Sequence, residues 1–437
     1  MRMRFLALAS LSVVAAGCGA GTLQAAGGQA ASSGTNSAAP AASSAAAMSS
    51  AAPAPMAPAS TAPASTTASG APAGTAPSER SCPGSQPPSY PPGIDGLQFV
   101  SASQGWAVSQ NAILATADGG AHWTAQLSGK LNLTSVDFIS GQDGWAVGTT
   151  SLLATTDGGA RWRALAEPCP VIRSVHFISP ATGFAVAGGR NVGGADPEMP
   201  VLGGVVLTTS DGGRTWRRLA TPANAQTVCF GDPRHGWLGA DGLLYRTADG
   251  GRDWTVLTSM AGQAGAGSPA EMSVECANDG TAWALRVGPG AAMSQDPHVG
   301  YHADQSGATP IFAEQYFQSQ GAKPAAESPG PDAGPFSAID SSSAAFVDWC
   351  SACGPGTAPW DVAASSGATL TKEGNVGSIT LPQAASFLSA AAGWVAGTET
   401  VYPAADAGKS KSQERIVATA DGGHTWHVQY AGPWTTS

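Results

Sequence analysis

Charge is scarce in this chain: Asp, Glu, Lys and Arg together make up 11% of its 437 residues, and nowhere do like charges form a run. The Lys and Arg that occur are outnumbered, giving a formal net charge of −10. That balance excludes nucleic acid and anionic membrane surfaces as expected partners, because both are held by clustered cations. Long apolar runs are lacking too, since after residue 16 none reaches the eighteen residues a spanning helix needs. Glycine (57), proline (32) and tryptophan (13) are instead plentiful, which suits a turn-rich β architecture better than a helical one.

The first residues read as an export leader. Arg2 and Arg4 precede an apolar stretch over residues 5–16 that is too short to be a permanent span. It ends in Ala15-Ala16-Gly17-Cys18, which resembles the bacterial lipoprotein box and makes Cys18 the expected lipidation site of a leader spanning 1–18. Losing the two arginines with the leader takes the net charge to −12. Residues 19–86 are expected to form a tether: as far as residue 78 they hold neither a charged nor an aromatic side chain and cannot bury a core. The remaining 87–437 are assigned to one domain. The expected location is the outer face of the cytoplasmic membrane or the cell surface, anchored through Cys18 alone.

Thr-x-Asp-Gly-Gly followed closely by Trp occurs five times, centred on Asp118, Asp157, Asp211, Asp249 and Asp421, with Trp123, Trp162, Trp216, Trp254 and Trp426 behind them. Each copy trails a Gly-Trp-Ala-Val-like strand. The first unit reads as strands over 97–100, 105–108, 112–116 and 123–127, and the second matches it over 136–139, 144–147, 152–155 and 162–165. Four short strands per unit of about 40 to 55 residues form a propeller blade. Two degenerate units fit between Asp249 and Asp421. One has Trp283 in its second strand and an eroded turn at 304–307; the other has a second strand at 346–349 and a turn at 365–367. The expected fold is therefore all-β, a single seven-bladed propeller of four-stranded antiparallel blades, with six or eight as alternatives.

This pattern resembles the Asp-box, or BNR, repeat of sialidases, sortilin-type receptors, some endoglucanases and the photosystem II assembly factors, and the Gly-Trp-Ala-Val strand is most similar to the last of these. The resemblance implies that the box is the hairpin between the third and fourth strands of a blade. It also implies assembly-factor-like binding to a membrane protein. No dense Arg patch of the kind that resemblance implies is visible in the sequence, so the photosystem partner is not carried over. A sialidase would need an Arg triad, a Tyr–Glu pair and an Arg-Ile-Pro-like motif, which the chain lacks. The related endoglucanases work between two propellers, and this chain offers one. Enzyme action, as a glycosidase, is the alternative to a binding scaffold.

The recurring side chains read as scaffold. The box Asp accepts N–H groups within its turn, the Gly residues take conformations closed to other residues, and the Trp packs over the hairpin. The second column, Trp106, Trp145, Trp237, Trp283 and Trp394 with Phe184 in blade three, reads as wedges between blades. Ligand-binding candidates are residues that break the repeat. They lie in enlarged links between second and third strands, at 188–204, 287–300, 351–360 and 397–413, all on the face opposite the box turns. These are Arg190, Asp196, Glu198 and Met199; Asp296, His298 and Tyr301; Trp360; and Tyr402, Lys409 and Lys411. The expected ligand is a protein or a polysaccharide. His298, Tyr301, His302 and Asp304 invite a metal reading, but residues four apart in a strand lie too far apart to share an ion, so no metal and no cofactor is expected. No catalytic residue is assigned, and a monomer is expected.

Six cysteines remain after Cys18, an even count that in an exported chain favours disulfides. Cys229 and Cys276 fall on first strands of adjacent blades, Cys350 and Cys353 close a short loop, and Cys82 is left to tie the lead-in to Cys169.

Overall fold

A computed structural model of the chain describes residues 93–436, apart from residues 170, 192–200, 258–269, 278, 289–297, 314–329, 331, 351–357, 368–373 and 403–408. The chain divides into two units, 1–69 and 70–437, and every described residue lies in the second. The leader, the lipid site and the tether therefore lie outside the described residues, as do Cys18, Cys82 and Cys353.

Seven antiparallel sheets follow one another along the chain, each a meander whose strands pair in sequence order. They span residues 94–128, 133–164, 172–218, 225–256, 271–313, 336–375 and 381–431, and are numbered blades 1 to 7. The two degenerate units are thus complete blades. In blade 6 the second strand is Ser343–Val347, earlier than its expected position, and the third is Pro359–Ala364. Blade 7 adds a short fifth strand, Thr435–Thr436, against Lys411–Thr419. Its four main strands all come from its own segment, so among the described residues no strand is exchanged to close the ring.

The Gly-Trp dipeptide has a packing cause. At the end of the first strand of each of the five blades that carry a box stands a Phe, paired with the Gly that opens the second: Phe99 with Gly105, Phe138 with Gly144, Phe177 with Gly183, Phe230 with Gly236 and Phe387 with Gly393. The Phe ring folds over that Gly so closely that a Cβ at Gly105 would sit 2.6 Å from it. Where the Phe is replaced by Cys276, the Gly becomes Ala282. The Trp next to the Gly then stacks on the Phe of the following blade. Trp106 lies on Phe138, Trp145 on Phe177 and Trp394 on Phe99, with centroids 3.5–3.6 Å apart. Each box Trp meets the same Phe edge-on, as Trp162 does Phe138. Blade 6 has Ala345 at the wedge position, and its third-strand Trp360 stacks on Phe387 instead.

A second device joins the blades at one frame position. Each first strand is a sheet edge whose outward backbone groups need partners. The residue at the frame position before the Phe supplies one across six of the seven junctions. Gln98 accepts the N–H of Phe138 at 2.6 Å, Asp137 that of Phe177 at 2.6 Å and Glu275 that of Ala338 at 2.7 Å. Ser337 accepts from Phe387 and Ser386 from Phe99, both at 3.0 Å, while the His176 ring bonds the carbonyl of Phe230 at 2.9 Å. Between blades 4 and 5 the link is covalent, the disulfide Cys229–Cys276, as the repeat frame places it. Cys169 and Cys350 are also disulfide-bonded, and the expected partners Cys82 and Cys353 lie outside the described residues.

Candidate functional site

The five boxes consume their own polar groups. In each, the Thr hydroxyl donates to the Asp carboxylate at 2.8–2.9 Å and accepts the N–H of the second Gly at 2.8–3.0 Å. The carboxylate accepts a further N–H four residues on, from His122, Arg161, Thr215, Asp253 or Thr425. The two Gly residues that make this possible sit at positive φ, 75° and 97° in the first box. Such bonds favour the charged form. The His122 ring and backbone hold Asp118 down at about 2, and the Thr425 hydroxyl and amide do the same for Asp421. These carboxylates are held ionised inside separate turns and converge on no common point.

On the opposite face two hairpins outgrow the repeat. Strands of nine residues, Gly183–Asn191 with Val201–Thr209 and Gly393–Val401 with Lys411–Thr419, stand in blades 3 and 7 where other second strands have five or six. Arg190 lies on the first, opposite Leu202. Asp196, Glu198 and Met199, and Asp296 from blade 5, lie outside the described residues. The blade 7 hairpin gathers three candidates at its tip. Tyr402 is 72% exposed, Lys409 and Lys411 are exposed, and Lys411 pairs with Val401, next to Tyr402. Trp434, which sequence reasoning passed over, is 47% exposed in the tail, one residue before the strand that pairs with Lys411 and Ser412. Its signal was its place after the last box, where no frame position claims it.

Three candidates belong to the core instead. Trp360 is fully buried as the substitute wedge of blade 6. His298 and Tyr301 fall in the strand His298–Ala303 because the ladder of blade 5 continues through the enlarged link, pairing Val287 with His298. His298 is fully buried and meets Asp348 at 2.9 Å, while Tyr301 is 1% exposed. Asp304 is spent in the eroded turn, accepting the amides of Ser306 and Gly307. Among the described residues no group of three or more His, Cys, Asp or Glu could hold a metal ion, and no helix is long and apolar enough to cross a membrane.

The ring encloses an axial cavity of about 320 Å³ lined by first strands. Sequence reasoning missed two carboxyls there. Asp95 sits at a bulge in the first strand of blade 1, its Oδ1 receiving the Gln383 amide at 3.3 Å and its Oδ2 buried with no partner. Burial, aided by the nearby Glu414, raises it to about 8. Burial likewise raises Glu275 to about 7 against its bond from Ala338. Glu275 is bonded across the junction to blade 6, whereas Asp95 keeps one oxygen without a partner. Further exposed cations stand on outermost strands, Arg163 in blade 2 and the pair Arg217–Arg218 in blade 3.

Residues 93–221, blades 1 to 3, match the family model of the photosynthesis system II assembly factor YCF48. The resemblance read from the Gly-Trp strands and boxes is borne out over that segment. No curated protein matches the chain. Solved structures similar to it include an ancestral GH74 enzyme, 12% identical, with 78% of this chain and 55% of that one covered at a TM-score of 0.47. The GH74 xyloglucanase from Xanthomonas campestris is 12% identical over 74% and 62% at 0.32, and the calcium-binding protein regucalcin from Agrobacterium tumefaciens 14% over 60% and 83% at 0.40. The chain spans 55% and 62% of the two GH74 proteins' lengths. Likeness at this level transfers neither substrate nor chemistry.

Proposed function

We propose that this protein is an exported, lipid-anchored binding propeller that holds a protein partner on its hairpin face in the manner of an assembly factor. The supporting observation is a division of labour. Aromatic and carboxylate side chains at repeated positions are used up in wedges, boxes and blade junctions, whereas the blade 7 hairpin lifts Tyr402, Lys409 and Lys411 into solvent. An exposed Tyr is a common interface anchor, supplying large contact area at low entropic cost, and the two lysines beside it can steer an acidic partner. A Cys18 anchor and a long uncharged tether would let that face reach a membrane-embedded client. The glycosidase alternative is less favoured, because the GH74 structures similar to the chain are only 12% identical to it.

The test is site-specific photo-crosslinking in intact cells of the source organism, with a benzophenone side chain at position 402 and, as control, at Val428 on the outermost strand of blade 7. A discrete protein adduct at 402 and none at 428 is expected. Equal patterns at both sites would overturn the reading. So would turnover of a polysaccharide or chromogenic glycoside that a single carboxylate substitution abolishes.

A further inference from the structure

Two junctions of the ring lack an indole hydrogen bond that the other five make: 6–7, where Ala345 holds the wedge position, and 3–4. At junctions 7–1, 1–2 and 2–3 the indole N–H of Trp394, Trp106 and Trp145 donates to a box carbonyl of the next blade, that of Gly119, Gly158 and Gly212, at 3.1–3.2 Å. The equivalent carbonyl at junction 3–4 belongs to Gly250. The residue facing it is Phe184, which stacks on Phe230 at 3.6 Å and 5° as an indole would, but has no N–H to give. Among the described residues none donates to the Gly250 carbonyl.

A pocket of about 330 Å³ opens there on the box face, away from the hairpins. Phe184, half-buried Trp216 and exposed Arg217 line it beside Gly250. Three of its hydroxyls have already spent their protons: Thr208 donates to the Gly183 carbonyl at 3.1 Å, Thr209 to Asp211 at 2.9 Å and Thr215 to Asp211 at 2.6 Å. They offer the pocket oxygen lone pairs only. The lining therefore combines aromatic surface, a guanidinium able to lie over a π face, and acceptors in want of a donor. A half-exposed acceptor without a protein donor favours a ligand that brings an N–H and shields the bond from water.

We propose that this pocket binds a planar aromatic heterocycle carrying a ring N–H, with indole as the matching case, its N–H on the Gly250 carbonyl where junctions 7–1, 1–2 and 2–3 use their own tryptophan. Free indole and a tryptophan side chain of a partner share this chemistry.

The experiment is ¹⁹F NMR of 5-fluoroindole with the full chain at about 1 mM ligand, the range expected of a fragment-sized site. Broadening or a shift is expected with the wild type. The N-methylated analogue, which lacks the donor, should bind about three- to tenfold more weakly. Phe184→Trp restores the missing indole, and should weaken binding at least about tenfold while holding or raising the thermal midpoint. Arg217→Ala, an exposed change that leaves the core intact, should weaken binding several-fold and serves if Phe184→Trp fails to fold. Displacement by a short acetylated Trp peptide at lower concentration than by indole would identify a partner's side chain as the source; the reverse would identify a free small molecule. No response with the wild type, equal response from the methylated analogue, or undiminished binding by both variants would overturn the proposal.

Discussion

The hydroxyl of Ser386 accepts the backbone N–H of Phe99 at 3.0 Å, joining the last blade to the first across 287 residues of sequence. Trp394 stacks on the same Phe99 at 3.6 Å and 8°, so the closing junction is built like the internal ones. Phe99→Ala should cost about 3–5 kcal/mol, the range for deleting a buried aromatic, and Ser386→Ala about 1 kcal/mol. Denaturant unfolding of Phe99→Ala beside Phe138→Ala checks this. Similar losses are expected, and a negligible loss at Phe99 alone would mean that the ring is open there.

The blade 4–5 junction replaces a hydrogen bond with a disulfide, Cys229–Cys276, enclosing 47 residues of sequence separation. The double Ser variant is expected to lose about 2–4 kcal/mol, mainly because its unfolded chain regains freedom. Unfolding midpoints with and without reductant measure this. An unchanged midpoint on reduction would contradict it.

Stability should fall as pH rises from about 4 to about 8. Asp95 and Glu275 are raised by burial to about 8 and about 7, well above the ordinary carboxylate range. A raised folded pKa means that the native state binds the proton more tightly, so its contribution is full below the unfolded value and lost on the way up to the folded one. The box carboxylates are lowered and already ionised in this window. Glu275→Gln keeps an acceptor for Ala338 without the charge, and should flatten the slope and exceed the wild type in stability at pH 8. Midpoints that climb through this range would contradict the assignment.

Thr209 is 3% exposed and holds its box from both sides, donating to Asp211 and accepting from Gly213. Thr209→Val keeps the shape and strands both partners, an expected cost of about 1–3 kcal/mol. Thermal unfolding reads the loss, and the 402 crosslink should persist at a temperature where the variant is folded.

Blade count and the Cys229–Cys276 pairing were legible in the sequence because repetition reports a shared environment: five boxes and six second-strand aromatics fix the frame. Blade 6 was blurred because Ala345 holds its wedge position while Trp360, one strand later in the meander, does the work. A wedge supplied from another strand leaves no trace in spacing, and for that reason Trp360 looked like a free loop aromatic. His298 misled through the same cause, since pairing that continues into an enlarged link buries residues that composition assigns to a loop. The blade-joining position escaped notice altogether. Gln98, Asp137, His176, Cys229, Glu275, Ser337 and Ser386 share a place and a task but no chemistry, and only backbone register against Trp106 and its equivalents aligns them.

Residue-resolved hydrogen exchange at the Phe99 amide, with Phe138 and Phe177 as internal standards, addresses ring closure itself. These amides lie on sheet edges and are protected only by a side chain of the neighbouring blade. Exchange of Phe99 as slow as that of the other two, through global unfolding, is the expected result. Exchange faster by orders of magnitude at Phe99 alone would show an open seam between blades 7 and 1 and contradict the closed ring.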